Sequence, residues 1–420
     1  MGLIGIGMFF DGFDIYLIAT VLGAMLRSGF STLGQNAQFI AATFLGMMVG
    51  SFLTGFLGDR FGRRFTYQAN LIIFGLASIA SAFAPNMPTL ILLRGVMGIG
   101  LGAELVAGYA AMTEFLPPQA RGRWCGILNA VVVTSLPISA LASAVLIPRF
   151  GWRIMFIIGG VGALIVWYLR KSMPESPRWL ESVGRTEEAE KMLQEIESEF
   201  ASQDPPLPAP ASAPPITSTR NFSSLFGPQL FSRLFVGATV LVVANTLIYG
   251  FVTWLPTFFV QQGLSIASSF KYSFLMSIGA PVGAAIGALS ADAIGRKPGI
   301  IGASVLAILF GGIYPFIRDP RWLPLAGFLL VVCIYILVAL LFAIYIPELF
   351  PTDVRMRALG LCNTIGRSAT IFTPFLVVFL FRSHGVGGVV ALMIALLVIQ
   401  ILAVHFFGIE PKLRSLEEMQ

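Results

Sequence analysis

The sequence predicts an all-α membrane protein of twelve transmembrane helices, arranged as two six-helix pseudo-symmetric bundles. Three observations predict this fold: a large excess of apolar residues, apolar segments of membrane-spanning length, and a repeat that relates the two halves of the chain. Of the 420 residues, 56% are hydrophobic and only 11% are charged. A soluble domain carries about 25% charged residues. The chain therefore cannot cover itself with a solvated surface, and lipid must be its main solvent.

The apolar segments divide the chain into twelve candidate spans. A helix needs roughly 20 mostly apolar residues to cross a bilayer, and charge clusters, prolines and glycines separate these segments. The spans run near 2–26, 38–58, 66–84, 89–112, 124–147, 151–171, 231–256, 270–292, 298–317, 322–347, 357–381 and 386–408. They predict an N-terminal bundle over 1–171, a C-terminal bundle over 230–410 and a cytoplasmic tail over 411–420.

A polar linker over 172–229 separates the two bundles. Over 186–200 charged residues alternate with apolar ones at helical spacing, which predicts a short amphipathic helix on the cytoplasmic side. Six prolines over 204–215 without apolar periodicity predict a flexible or polyproline II tether. We therefore expect the linker to connect the bundles without forming a domain of its own.

An internal repeat indicates that the two halves are related. TEFLPPQARGR at 113–123 matches PELFPTDVRMR at 347–357, and GDRFGRR at 58–64 matches ADAIGRK at 291–297. The offsets are 234 and 233 residues, and each match follows an even-numbered span. Two parallel six-helix halves are typical of transporters that bind their substrate between the halves, near the middle of the bilayer.

Basic residues concentrate in the connections that carry this repeat. The positive-inside rule then places both termini and the linker in the cytoplasm. We expect the charged side chains there to form a cytoplasmic gate, an ion network that closes this side in the outward-open state. The alternative is that these charges only orient the chain and keep its connections soluble. The gate residues are Asp59, Arg63, Glu114, Arg121, Asp292, Arg296, Glu348 and Arg355.

Four motifs carry a resemblance to a known family. GDRFGRR at 58–64 resembles the signature of the major facilitator superfamily, and PESPRWL at 174–180 resembles its sugar and organic-ion branches. RGVMGIGLGAEL at 94–105 and YIPELFPTDVRMRALG at 345–360 are most similar to organic-ion transporters and their bacterial proton-coupled relatives. The resemblance covers nearly the whole chain. It implies transport of a small metabolite, including aromatic carboxylates such as niacin or benzoate, with protons across a bacterial inner membrane.

Two charges inside predicted spans are candidates for proton coupling. A charge in the bilayer core costs about 3 kcal/mol or more, so each one is a site hypothesis. Asp14 lies near the middle of span 1, and Arg94 lies far enough inside span 4 to reach it. A carboxylate beside an arginine titrates reversibly if access to water changes the pairing. The resemblance implies this role for the pair, whereas the alternative is a permanent salt bridge. For Asp11 we expect a structural role or one at the cytoplasmic end.

Glu104 and Arg367 are further charges within predicted spans. Glu104 is a candidate for carrying a proton or contacting a cationic substrate group, and the alternative is a core carboxylate with a structural partner. The repeat places Val133 at the position equivalent to Arg367, so the bundle scaffold does not require an arginine there. A guanidinium offers two parallel donors to a carboxylate. The resemblance implies a charge-selecting position, and we expect Arg367 to bind an organic anion. Alternatively, Arg367 neutralises Glu104 or Asp14.

Polar and aromatic side chains complete the predicted substrate site, and other classes of function remain as alternatives. These candidates are Asn245, Tyr249, Trp254, Phe342, Tyr345 and Asn363. A uniporter, or a symporter of an organic cation or a sugar, remains open on the same fold. The sequence has two isolated histidines and no catalytic or phosphate-binding motif, so we expect neither an enzyme nor a metal or other cofactor. The expected partners are the substrate, protons and lipid, with no nucleic acid, and the expected state is a monomer.

Overall fold

The helices are described here from a computed structural model of the chain. It describes the backbone of residues 2–115, 118–173, 175, 179–180, 183–200, 225–261, 263–317, 319, 321–350 and 355–410. Within these helices it leaves out the side chains of 55–59, 105–127, 195–200, 291–293, 343, 347 and 355–357. The proline-rich tether and the tail predicted over 411–420 lie outside the described residues.

The first half of the chain forms spans 1 to 6. Their bounds are Gly2–Arg27, Leu33–Phe61, Arg63–Ala82, Met87–Phe115, Pro118–Phe150 and Arg153–Leu169. Thr32 and Gln35 form a capping box that starts span 2. Gly62, at φ 92°, separates spans 2 and 3 because it adopts a backbone conformation that few other residues tolerate.

The second half forms spans 7 to 12, several of which are irregular. Span 7 comprises Pro228–Gly250, a 3₁₀ turn Val252–Trp254 and Leu255–Gln261. Span 8 comprises Ile266–Ser277 and Gly279–Ile294, and span 9 is Arg296–Ile313. Span 10 runs through Leu323–Val338, a π-helix Ala339–Tyr345 and Ile346–Glu348. Spans 11 and 12 lie in Arg355–Phe407, which is broken at Gly385 (φ 63°, ψ −154°).

The number of spans agrees with the prediction, but two boundaries differ. In the described part of the chain, ten helices are long and apolar enough to cross a membrane. The 50-residue stretch that includes spans 11 and 12 accounts for two crossings, and the shorter helix Arg153–Leu169 supplies span 6, which gives twelve. Spans 11 and 12 were expected to be separated by a non-helical connection, and span 7 to be unbroken. Around the break in span 7 the composition is largely apolar, so it cannot locate the residues with irregular dihedral angles, and after span 11 the helix continues through the polar residues Arg382, Ser383 and His384 up to Gly385.

Part of the linker is also described. Thr186–Phe200 forms a helix at the position of the predicted amphipathic segment. Just before it, Arg185 Nε donates a hydrogen bond of 2.8 Å to the carboxylate of Glu188, and both side chains are exposed. This hydrogen bond raises the pKa of the Arg185 guanidinium. The pair supports the first turn of the linker helix.

Spans 2 and 4 pack with their backbones in direct contact. Gly46 and Gly50 of span 2 face Gly98 and Gly102 of span 4, and a methyl group added to any of the four would overlap a carbonyl group of the opposite helix. Ser51 Oγ also donates a hydrogen bond of 2.9 Å to the Gly102 carbonyl. Small residues allow this approach, which is a principal source of helix association in a membrane.

We predict that Gly98→Ala destabilises the protein. The added methyl overlaps the Thr43 carbonyl, so the two helices must separate, and such overpacking costs about 1–3 kcal/mol. Thermal unfolding of the purified protein in detergent measures the loss. Gly302→Ala in span 9 is the matched control, because nothing lies within 4 Å of the added methyl group. Equal stability of both variants would show that spans 2 and 4 tolerate separation.

Each bundle has one face at which its first span begins and its last span ends. In the first half, Arg170 follows span 6 and donates to the carbonyl of Leu3, at the start of span 1. In the second half, Lys297 at the start of span 9 donates to the carbonyl of His405, near the end of span 12. We call this the terminal face, and the opposite face is the one at which spans 1 and 7 end. The predicted cytoplasmic gate lies at the terminal face.

Candidate functional site

Asp14 and Arg94 form an ion pair inside the first bundle. Arg94 Nη1 lies 2.8 Å from Asp14 Oδ2, and both side chains are completely buried. Arg94 Nε also donates to Thr43 Oγ1 at 3.3 Å, and the guanidinium lies 4.8 Å from the ring centroid of Phe39. The hydroxyl and the ring face orient the guanidinium and partly replace its hydration. The two residues that the sequence selected for proton coupling are therefore in direct contact.

The Asp14 carboxylate is directed away from the second half of the protein. A methyl group added to Gly159 of span 6 would lie 3.4 Å from Asp14 Oδ1. Among the described residues, this oxygen has no hydrogen-bond partner. The pair is thus enclosed by spans of its own bundle. Any effect of its titration on the contact between the halves must be transmitted by a movement of span 1.

Glu104 also has an arginine partner, which the sequence analysis missed. Arg170 Nη1 donates to Glu104 Oε1 in a buried ion pair, and Arg170 Nη2 donates to the carbonyl of Ile4 at 3.1 Å. A side chain at Gly7 would overlap the Arg170 guanidinium, so this glycine provides the space for it. Arg170 directly follows span 6, where basic residues usually only mark the cytoplasmic end of a helix. This contact is the one expected if Glu104 is a core carboxylate with a structural partner.

Five residues from both halves meet at mid-depth and form what we call the interface cluster. They are Tyr16 of span 1, Phe44 of span 2, Tyr249 of span 7, Tyr335 of span 10 and Arg367 of span 11. The Tyr335 hydroxyl donates to the Tyr16 hydroxyl at 3.2 Å, and the ring centroids of Phe44 and Tyr249 are 4.4 Å apart. Arg367 lies close enough to Tyr249 to act electrostatically on its phenol. Sequence analysis found only Tyr249 and Arg367.

Between this cluster and the opposite face the two halves are closely packed. Arg27 Nη1 donates to the carbonyl of Leu264 at 3.0 Å, which joins the end of span 1 to the connection after span 7. A methyl group added to Gly23 would lie 3.4 Å from the backbone of Pro256. A space of about 20 Å³ remains between the halves beside Tyr16, which is room for about one water molecule. A substrate does not fit into this space between the two halves.

Arg367 lies among polar groups of spans 7 and 11. It is half-buried, and the preceding Gly366 faces Asn245, whose Nδ2 would lie 3.1 Å from an added methyl group. Asn245 Nδ2 donates to the Leu241 carbonyl of its own helix at 2.8 Å. Asn363, one turn before Arg367, likewise donates to a carbonyl of its own helix. Asn245 therefore packs against span 11 at the residue that precedes Arg367.

Three predicted pocket residues are not part of this cluster. Trp254 is buried and stacks on Phe258, with ring centroids 6.2 Å apart. Tyr345 is completely buried, and its hydroxyl faces Gly408 at the end of span 12, so the structure does not support a contact with substrate. Phe342 is half-buried and packs against the apolar core. Phe342 and Tyr345 lie in the π-helix, whose wider turn changes the direction of side chains that α-helical spacing would predict.

One ion pair of the predicted gate lies among the described residues. Arg296 donates to both carboxylate oxygens of Glu348 through Nε at 3.0 Å and Nη2 at 3.1 Å, so this pair lies entirely within the second half. We expected Glu348 to join a network with residues of the first half. The side chains of Glu114 and Arg121, which would complete that network, lie outside the described residues. The side chains of the remaining gate residues lie outside the described residues, except Arg63: they are Asp59, Glu114, Arg121, Asp292 and Arg355.

Two glutamates that the sequence analysis did not select cap equivalent helices. Glu175, after span 6, accepts hydrogen bonds from the first two backbone N–H groups of span 3, at 2.8 Å from Arg63 and 3.2 Å from Arg64. Glu410, after span 12, accepts from the first two of span 9, at 3.1 Å and 2.8 Å. A carboxylate at a helix N-terminus satisfies free donors and the helix dipole together. The same device therefore fastens the last span of each bundle to its third.

We predict that Glu175→Gln and Glu410→Gln each weaken the terminal face of one bundle. Hydrogen bonds to charged groups contribute about 1.5–3 kcal/mol, and the amide keeps the shape but loses the charge. Thermal unfolding should show a lower midpoint for each variant, and cysteine accessibility should rise at the terminal face. Glu187→Gln on the exposed linker helix is the control, and we expect it to leave both measurements unchanged. A wild-type unfolding midpoint in both variants would contradict the proposed fastening.

Fold and site together define a multi-pass membrane transport protein with buried ion pairs in one half and a polar, aromatic contact between the halves. A model of the Major Facilitator Superfamily matches residues 4–374. The chain is 37% identical to the inner membrane metabolite transport protein YdjE of Escherichia coli (strain K12), with 100% of this chain and 94% of the relative covered. It is 30% identical to the niacin transporter NiaP of Acinetobacter baylyi (strain ATCC 33305 / BD413 / ADP1), with 99% and 94% covered.

Solved structures agree with these sequence relatives. A crystal structure of a D-xylose-proton symporter superimposes with a TM-score of 0.75 at 19% identity, covering 98% of both chains. The chain belongs to the major facilitator superfamily. Its fold is the twelve-helix fold of that family, and both predictions are confirmed. Because the related proteins are metabolite transporters, the chain is a transporter of a small molecule and not an enzyme.

Proposed function

We propose that this protein moves a small organic anion together with protons by alternating access, and that the anion is an aromatic or heteroaromatic carboxylate such as niacin. The observation that carries the proposal is the position of Arg367 near Tyr249, directly after the glycine that faces Asn245, where the two halves meet. Alternating access exposes a site at this place to each side of the membrane in turn.

The surroundings of Arg367 favour an anionic substrate. Among the residues that the structure describes, no carboxylate forms an ion pair with Arg367, whereas Asp14 and Glu104 each have an arginine of their own. This argues against the alternative that Arg367 only neutralises one of these two acids. A half-buried arginine without a counterion among the described side chains attracts a substrate carboxylate, which it can bind through two parallel hydrogen bonds.

The rings around Arg367 favour an aromatic body for that anion. Phe44 and Tyr249 meet edge to face across the two halves, and Tyr16 and Tyr335 add two hydroxyl groups nearby. A flat ring can pack against these faces, and the hydroxyls can hydrogen-bond to a ring nitrogen or a substituent. The niacin transporter among the relatives supports this class of substrate.

The buried Asp14–Arg94 pair supports proton coupling. Both members are inaccessible in this conformation, so a change of water access during transport would change the protonation of Asp14. A proton symporter among the structural neighbours and an inner membrane protein among the relatives support coupling and a bacterial inner membrane location. We further propose that the transporter is a monomer, with both termini and the terminal face in the cytoplasm.

Uptake into proteoliposomes tests this proposal. The panel comprises labelled nicotinate, benzoate, tetraethylammonium and glucose, each with and without an inward proton gradient, and with liposomes lacking protein as the control. We expect nicotinate or benzoate to accumulate only with the gradient, and a protonophore to abolish the accumulation. Uptake of a carboxylate that is indifferent to the gradient would indicate a uniporter. Uptake of the cation or the hexose alone would reject the anion proposal.

A further inference from the structure

Among the described side chains of the first bundle there are more buried acids than buried bases. Five charged side chains there are at most 1% exposed. They are Asp11, Asp14, Arg94, Glu104 and Arg170, that is, three carboxyl groups and two guanidinium groups. Arg94 pairs with Asp14, and Arg170 pairs with Glu104. Asp11 is therefore the acid in excess.

Asp11 lies on the face of span 1 that carries both of these ion pairs. Gly7, Asp11 and Asp14 are four and three residues apart, which places them on one side of the helix. Gly7 contacts Arg170, and Asp11 lies within electrostatic range of Glu104, Arg170 and Asp14. Neither oxygen of the Asp11 carboxyl group has a hydrogen-bond partner among the described residues.

The elements packed around Asp11 offer no other described counterion. Span 3 contributes Tyr67, whose ring lies 5.9 Å from the Arg170 guanidinium. Span 5 contacts the neighbouring Gly12 through the Val132 carbonyl and the Ser135 hydroxyl, which carry no charge. An ionised Asp11 would give the five groups a net charge of −1 in a buried site, and an unpaired buried charge is strongly unfavourable.

We propose that Asp11 is a second proton-binding site, distinct from the Asp14–Arg94 pair and occupied in this conformation. A neutral Asp11 leaves two carboxylates opposite two guanidiniums, which balances the charge. That a proton is bound to Asp11 does not depend on the proposed function. That this proton is used in transport rests on the proposed proton-coupled function.

Arg170 provides a way to release the proton toward the terminal face. Its guanidinium contacts the carbonyls of Leu3 and Ile4 in the first turn of span 1, and Glu104 on span 4. Gly7 lets it lie about one turn of helix, 5 to 6 Å, from Asp11. A movement of span 1 past spans 4 and 6 changes which carboxylate lies nearest to the Arg170 guanidinium. Once Arg170 turns to Asp11, the ionised form gains a counterion and the proton leaves.

Infrared spectroscopy of the full-length protein in lipid nanodiscs tests the occupancy. Aspartate labelled with ¹³C shifts the carbonyl band of any protonated aspartic acid, and we expect one such buried band at neutral pH. Asp11→Asn should remove it, whereas the exposed control Asp319→Asn should leave it unchanged. Absence of the band from the wild-type protein, or its survival in Asp11→Asn, would overturn the proposal.

A second variant keeps the test valid if Asp11→Asn does not fold. Glu104→Gln leaves Asp11 in place but removes one acid, so Arg170 becomes available and Asp11 should ionise. We expect the band to disappear from this variant as well. A persistent band would overturn the charge-balance argument. If the band is present but no carboxylate accumulates in the uptake panel, only the proposed transport function is rejected. If a carboxylate accumulates but the band is absent, only this inference is rejected.

Transport tests whether this proton is used. Asp11→Asn fixes the site in its neutral form, so accumulation should fall by about tenfold for each pH unit of gradient if one coupled proton is lost. Exchange of substrate between the two sides should continue. Unchanged accumulation would show that the proton stays on Asp11 throughout the cycle and would overturn its part in coupling.

Discussion

Replacing Arg367 by alanine should weaken binding of the carboxylate substrate by about 100-fold, because two charge-assisted hydrogen bonds are lost at once. The folding of the protein should not change. Arg367 is half-buried and has no ion-pair partner among the described side chains, so its removal leaves no carboxylate unpaired. Equilibrium binding of labelled nicotinate to the purified protein measures the loss, and thermal unfolding verifies the fold.

Two further variants make this result specific. Arg382→Ala removes an exposed arginine from the other end of the same helical segment, and we expect wild-type binding. Arg367→Lys keeps the charge but not the planar pair of donors, so its affinity should be intermediate. If Arg367→Ala binds nicotinate as tightly as the wild type, the anion site must lie elsewhere.

The parts of the site that could be predicted are those fixed by a single helix or by regular helix geometry. Asp14 and Arg94 are both charges within long apolar segments, and the rise of an α-helix places them at similar depth. Their contact at 2.8 Å follows from this geometry. Arg367 was found because the repeat provides an apolar equivalent for comparison. In each case the informative signal was a charge at a position where membrane structure alone requires none.

The missed residues depend on information that one sequence does not contain. Arg170 lies at the end of a span, where a basic residue usually contacts lipid headgroups or water, and only its contacts with Glu104 and the first turn of span 1 show its role. Tyr16 and Tyr335 belong to different halves, and their contact depends on how the two bundles meet. Glu175 and Glu410 are 235 residues apart, but their flanking sequences are too different to extend the repeat.

Replacing Asp14 by asparagine should abolish proton-driven accumulation while leaving exchange of substrate intact. The asparagine cannot lose a proton, so the movement of span 1 that follows titration of Asp14, and with it release of the Asp11 proton, is missing, but the substrate site at Arg367 remains. Proteoliposomes loaded with unlabelled nicotinate measure exchange, and a proton gradient across the same liposomes measures accumulation. Full accumulation by this variant would show that the Asp14–Arg94 pair is a permanent salt bridge.

The stability of this variant must be separated from its effect on coupling. Asp14→Asn leaves Arg94 buried without its carboxylate, and breaking one partner of a buried pair costs about 3–5 kcal/mol. The double variant Asp14→Asn with Arg94→Gln removes both charges, so its stability should recover most of that loss. Its accumulation should stay absent, because Asp14, whose titration moves span 1, has not been restored. If the double variant recovers both stability and accumulation, the single variant failed because it did not fold. The protons would then be coupled through another carboxyl group of the first bundle, and Asp11 is the nearest candidate.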